Sequence, residues 1–239
     1  MKPRQLSLPL PTWGGHREGA GRKPKGPEPG VPHRALGSHR KGNPLHVTLK
    51  LREEFPRLRT GRILPVLERC FAAGKERFGF RLVHYSIQND HIHLVAEATD
   101  ERSLSSGVRG LSIRIARALN KELGLRGRVF GDRYHARELV VPLDVRNVLR
   151  YVLCNGSKHE VAAGRAPGRG IDPCSSGRYF HGWSGLRGVA EPGAGAPVVA
   201  PSTWLLRDGW LRHGRFQPAD VAQRHYLAGS RAAGRRRSP

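Results

Sequence analysis

The sequence is poor in cysteine. Cys70, Cys154 and Cys174 are the only three in 239 residues. The count is odd and no two form a Cys-x-x-Cys pair. This argues against a disulfide framework or a thiolate zinc cluster and fits a reducing compartment. Acid is scarce as well: 19 Asp and Glu stand against 42 Lys and Arg, for a net charge of +23. No apolar run reaches the length of about 18 residues that a spanning helix needs. Met1 to Pro11 has no uninterrupted apolar core, so it does not read as a signal peptide. Hydrophobic residues make up only 38%, which leaves room for a compact core flanked by loosely ordered segments.

What is abundant is positive charge, with 30 glycines and 18 prolines. A surplus of this size opposes compaction unless polyanions neutralise it. Nucleic acid is the expected partner, because each neutralised phosphate releases counterions. Anionic membrane ranks lower, since no basic amphipathic helix with a broad aromatic face is present. The length suits one ordinary domain with extensions, or two small domains.

Residues 1 to 43 carry nine basic and two acidic residues among many Gly and Pro. They read as a basic arm, disordered when free. Within it Gly21-Arg22-Lys23-Pro24 has the look of a minor-groove arm, and a solvated linker is the equal alternative. Alternation from Leu45 to Leu51 predicts a half-buried strand. A helix follows over about 60 to 77, with Pro65 in its first turn. Phe78 to Ala98 reads as two paired strands or one long bent strand, with a turn or bulge at Asn89-Asp90. Asp100 is placed to cap a helix whose apolar stripe is Leu104, Val108, Leu111, Ile115 and Leu119. Arg114, Arg117 and Lys121 lie off that stripe, on a solvated or DNA-facing surface. A Gly- and Arg-rich loop over 124 to 132 holds Arg126 and Arg128, with Arg133 just beyond it. Glu138 to Val141 reads as a short strand ended by Pro142. A helix over 143 to 155 then buries Val145, Val148, Leu149 and Val152, leaving Tyr151, Asn155 and Lys158 off the stripe. From about 161 the composition turns to Gly, Pro, Ala and Arg. Two islands there, Ile171 to Trp183 and Ser202 to Phe216, either dock on the core domain or fold with a partner.

Two residues stand out. His91 and His93 are two apart in a strand, so they share a face while Ile92 and Leu94 point the other way. Alone, such a pair is two idle solvent-side histidines. With a third ligand it is half of a metal site. Tyr151 and Asn155, one turn apart on the late helix, supply a nucleophile and a side-chain carbonyl oxygen. A phenol of pKa about 10 is a weak nucleophile, and needs a polarised electrophile or a nearby cation such as Lys158. Taken singly, Tyr151 is a core-edge tyrosine and Asn155 a helix-terminal residue before Gly156. Tyr134 is the rival nucleophile. His84 and His159 read as surface residues or phosphate contacts.

Together, Asp90-His91-Ile92-His93-Leu94 and Tyr151-Val152-Leu153-Cys154-Asn155 resemble the single-tyrosine HUH transposases. These serve small bacterial insertion sequences, and relatives accompany repetitive extragenic palindromes. Asn120, the stretch Gly127 to Tyr134, the Gly-Arg-Lys-Pro arm and Ser202 to Leu206 resemble features of family members too. The likeness spans about residues 44 to 160, which makes 161 to 239 an extension. It implies a ferredoxin-like (RRM-like) α+β fold with an antiparallel sheet. It implies Mg²⁺ or Mn²⁺ held by His91, His93 and Asn155. Tyr151 would attack single-stranded or hairpin DNA, leaving a 5′-phosphotyrosine and a free 3′-hydroxyl. DNA contacts would come from Arg22, Lys23, Arg114, Arg117, Lys121, Arg126, Arg128, Arg133 and Lys158. A homodimer, in some relatives sharing the tyrosine helix, and a cytoplasmic, nucleoid-associated location in bacteria are also implied. Two features depart from the family: Asn155-Gly156 replaces the frequent Asn-Pro, and the arm and extension exceed the minimal enzyme. A domesticated, non-catalytic DNA- or RNA-binding protein on the same fold is the alternative. A zinc hydrolase built on His-x-His is the third reading.

Overall fold

The computed structural model describes residues 39–156, 170–185 and 189–217. Arg22, Lys23, Lys158, His159 and most of the basic arm lie outside them. Five strands form one antiparallel sheet in the order β2-β3-β4-β1-β5. They are β1 (Leu45–Lys50), β2 (Glu76–Arg77), β3 (Phe80–Ile87), β4 (His91–Ala98) and β5 (His135–Glu138). Helix α1 (Leu64–Gly74) links β1 to the β2–β3 hairpin, and α2 (Glu101–Leu123) links β4 to β5. Leaving aside the two-residue β2, this is the βαββαβ order of a ferredoxin-like fold. Helix α3 (Pro142–Leu153) follows β5.

Alternation places Val47, Leu49, Ile92 and Leu94 on one face of the sheet, where they pack with the stripe of α2 (Leu104, Val108, Leu111, Ile115, Leu119) and with α1. Asp100 caps α2 through a 2.7 Å bond from the Ser103 amide. Gly107 lets α2 lie directly on β3, since a Cβ there would stand 2.2 Å from the Phe80 ring.

Three element boundaries differ from the sequence reading. Helix α1 stops at Gly74, because residues 76–81 turn back as a hairpin. Phe78 and Gly79, both at positive φ, make its two-residue turn, a geometry that matches the twist of paired strands. The last strand lies at 135–138 instead of 138–141, since its extent is set by pairing with Leu45–Thr48. Helix α3 ends at Leu153, with Cys154 as its cap.

The second face of the sheet is covered as well. Helix α3 and residues 171–216 form a second core there, with Val83 and Val95 beneath Phe180, Trp183, Trp210 and Phe216. Phe180 stacks on Phe216 and meets Trp183 edge-on, with ring centroids 5.1 and 5.2 Å apart. Each such pair contributes about 0.5–1.5 kcal/mol beyond area burial. Polar anchors fix this cover. Glu97 accepts hydrogen bonds from the Ser202 amide (2.9 Å), the Ser202 hydroxyl (2.6 Å) and the Thr203 amide (2.7 Å), at the start of α4 (Trp204–Arg207). Arg59 makes a bidentate pair with Asp172 at 2.9 and 3.0 Å and also donates to the Ile87 carbonyl. Gly156 backs onto the Asp172 carboxylate, 2.6 Å from where a Cβ would sit.

Candidate functional site

Antiparallel pairing of β1 with β4 sets Thr48 opposite His93 and Lys50 opposite His91. The second face therefore carries a polar stripe of His46, Thr48, His91 and His93. The two Nε2 atoms of His91 and His93 lie 2.8 Å apart. Each Nδ1 is engaged elsewhere. That of His91 lies 2.7 Å from an Asp90 carboxylate oxygen. That of His93 lies 3.2 Å from both His46 Nε2 and Thr48 Oγ1. Such partners fix the ring orientation from the Nδ1 side, the usual support of a ligating histidine. Two nitrogens each about 2.1 Å from one ion and at right angles to each other stand about 3 Å apart, so the pair fits a single small cation. Among the described residues no three His, Cys, Asp or Glu side chains group to hold a metal. His46 approaches the opposite nitrogen of His93, so it backs the pair without joining it.

Helix α3 brings Tyr151 over the same stripe. Its ring centroid is 5.0 Å from that of His93 and 6.1 Å from that of His46, both edge-on. Tyr151 is 7% exposed and Asn155 3%. The helical stripe alone put both off the core, but the sheet lies against one side of the helix end and the extension against the other. Asn155 makes no hydrogen bond to either histidine among the described residues. Burial, and after it the Asp90 carboxylate, pushes the Tyr151 phenol above its usual pKa. Burial, then Arg137, His135 and His91, pushes His46 down to about 3, so it is neutral. Burial pushes the Asp90 carboxyl up, but its bond to His91 and the charges of His91 and Lys50 outweigh this and hold it low.

The other sequence candidates are placed elsewhere. Arg114, Arg117 and Lys121 are on α2, across the sheet from the histidines, and border a groove with Arg62 and Arg69 of the α1 side. Arg126, Arg128 and Arg133 sit in the exposed 124–134 loop, which is held partly by the Asn120 amide donating to the Gly127 carbonyl (2.9 Å). Tyr134 packs on the α1/α2 core. His84 is a correction: it is buried under the extension instead of lying at the surface. Sequence reasoning missed His46, Thr48 and Asp90. The first two are polar positions of the alternating β1, but nothing local gives the register that sets them beside His93.

Residues 44–153 match the family described as "Transposase IS200 like". No curated protein matches the chain. Solved structures similar to it include a REP-associated tyrosine transposase bound to a REP hairpin, at 20% identity and TM-score 0.43, covering 54% of this chain and 74% of that one. A putative transposase from Deinococcus radiodurans R1 has 17% identity and TM-score 0.34, covering 49% and 93%. A bacterial tRNA(His) guanylyltransferase-like protein in complex with GTP has 12% identity and TM-score 0.38, covering 52% and 67%. The match to the IS200-like transposase family takes in the whole βαββαβ domain that carries the histidine stripe, residues 44–153.

Proposed function

We propose that the protein cleaves and rejoins single-stranded DNA, hairpin DNA included, with Tyr151 as nucleophile. The observation that carries this reading is the meeting, within one chain, of the Tyr151 ring and two histidines whose Nε2 atoms face each other at 2.8 Å. His91, His93 and the Asn155 amide oxygen would hold Mg²⁺ or Mn²⁺. When bound, the cation polarises a phosphodiester oxygen and offsets charge developing at phosphorus. The Tyr151 oxygen forms a bond to phosphorus as the bond to the 3′-oxygen breaks. The phenol gives up its proton and the departing 3′-oxygen gains one, leaving a 5′-phosphotyrosine and a 3′-hydroxyl. Rejoining reverses the step at another end. His46 and Thr48 hold the His93 ring, and Asp90 holds that of His91. Burial and Asp90 raise the phenol further above its usual pKa, so positive charge at the site would favour the attacking phenolate.

Labelled hairpin oligonucleotides with Mg²⁺ or Mn²⁺ are expected to give a covalent adduct on denaturing gels, with none for Tyr151→Phe. Absence of an adduct with the wild-type protein across a broad oligonucleotide set would falsify the catalytic reading. An adduct that survives Tyr151→Phe would move the role to another residue. A non-catalytic binding protein on this fold is the second reading, favoured by the burial of Tyr151. It predicts DNA binding unchanged by chelator or by His91→Ala, and no nicking.

A further inference from the structure

The extension leaves a cavity of about 380 Å³ where it crosses β3. Its walls include Phe180, Trp210, Val199 and Leu206, and His84 also lines it. Arg207, Arg215 and Glu191 line it as well. Glu191 is paired with His181 at 3.3 Å.

His84 is the informative group. It is 5% exposed. Its Nδ1 lies 3.1 Å from the Ser176 hydroxyl, and its Nε2 has no hydrogen-bond partner among the described residues. Burial holds the ring neutral, so Nε2 offers a directional hydrogen bond without charge. His84 lines the cavity, so this face of the imidazole offers a polar contact to whatever enters among the apolar and aromatic walls.

We propose that this cavity receives one unpaired base of the DNA strand engaged at the tyrosine site, an inference that rests on the DNA-processing function proposed above. Flat aromatic and apolar walls with few polar groups are how proteins hold a base taken out of its stack. The volume lies toward the small end of ligand pockets, which run to about 1,000 Å³. It admits a single nucleotide and excludes a duplex. Guanidinium groups at Arg207 and Arg215 suit the phosphates on either side of such a base, and a chain of net charge +23 selects for polyanions. Position supports the same reading. His84 pairs with Val95 and Ser86 with His93, so His84 stands on the histidine face, two residues along the strand and about 8 Å from His93 by strand geometry. The proposal places there a nucleotide that flanks the cleaved phosphate.

The test uses full-length protein carrying Tyr151→Phe, without divalent metal, so that binding is read apart from chemistry. Hairpin oligonucleotides with single-stranded flanks carry an abasic site stepped through the flanks. One flank position is expected to lose about 10-fold or more in affinity when made abasic. 2-Aminopurine at that position should be quenched on binding. Ala200 also lines the cavity and its side chain is exposed. Ala200→Trp should therefore fill the space, remove the quench, and weaken the intact oligonucleotide as much as the abasic one, with no further loss when combined. A 5-iodouracil photo-crosslink at that position, in protein with an unaltered cavity, should map to Phe180, Trp210 or Tyr179, which covers the case of a plugged variant that folds poorly. A flat abasic scan, or a crosslink mapping elsewhere, overturns the proposal. Failure of adduct formation with intact base-specific binding sinks the catalytic reading alone. Adduct formation with a flat scan sinks the base pocket alone.

Discussion

His46 and Thr48 meet His93 at Nδ1, which assigns Nε2 to whatever the histidine pair holds. His46→Ala should therefore weaken Mn²⁺ binding about 10- to 100-fold by titration calorimetry, the range for support residues behind a ligand. An unchanged affinity removes His46 from that role. Gly156 acts through close approach. Any side chain there drives into the Asp172 carboxylate that Arg59 grips. Gly156→Val is expected to cost about 1–3 kcal/mol in urea unfolding, the range for overpacking. That contact also gives a physical reason for Asn155-Gly156. A ring or a β-carbon after Asn155 has no room while Asp172 is in place. The sequence showed the departure from the family pattern, but its cause lies sixteen residues on, beyond any local pattern.

Among elements, the extension contributes most to burying the face that would otherwise be the polar side of a half-buried sheet. Its hold on Glu97 is concentrated, since three donors from Ser202 and Thr203 converge on one carboxylate that is 3% exposed. Glu97→Ala should cost about 1–3 kcal/mol, because it leaves the Ser202 and Thr203 donors unpaired. It should also raise cleavage of residues 190–217 in limited proteolysis. Equal protease resistance would show that the aromatic cluster alone holds the segment. The same cover sets a pH response. Burial lowers His84 from 6.5 in the unfolded chain to about 3 in the folded one. The unfolded state takes up its proton first as the medium is acidified. Stability from this group is complete above about 6.5, falls by about 1.4 kcal/mol per pH unit between there and 3, and is lost below. His84→Gln should flatten the acid limb of a urea-midpoint titration by one proton. His46 adds a second such contribution. The strands and α2 were legible because their alternation and stripe are local. The two aromatic islands were legible as segments that could dock on the core, and they do; where they dock was not legible, because four aromatics scattered through Gly- and Pro-rich sequence carry no periodicity, and their partners, Val83 and Val95, are some hundred residues earlier.

Among the described residues the histidine stripe and the basic side chains of α2 lie on different surfaces. The sheet face holds the histidines, and α2 with the α1 side presents Arg62, Arg69, Arg114, Arg117 and Lys121 on the other side. If α2 touches phosphate, replacing Arg114, Arg117 and Lys121 by Ala should reduce the slope of log K against log salt by about 0.7 per lost single-strand contact and about 0.9 per duplex contact. An unchanged slope makes that face a solvated one. Net charge in the sequence predicted a polyanion partner, but only the sheet, by separating α2 from β4, shows that the basic side chains of α2 and the histidine stripe point in different directions.

The order in which these parts are made carries a consequence of its own. By the time residue 156 has been synthesised the chain contains all five strands and α3, yet Val83, His84 and Val95 still lack their roof. The segment that covers them, which includes Phe180 and Phe216, is made afterwards. Long-range closures of this kind come late in folding. A chain emerging from the ribosome thus passes through a stage with the tyrosine helix present and an apolar strip of the sheet open. Residues 171–216, made after the sheet, are what close that strip.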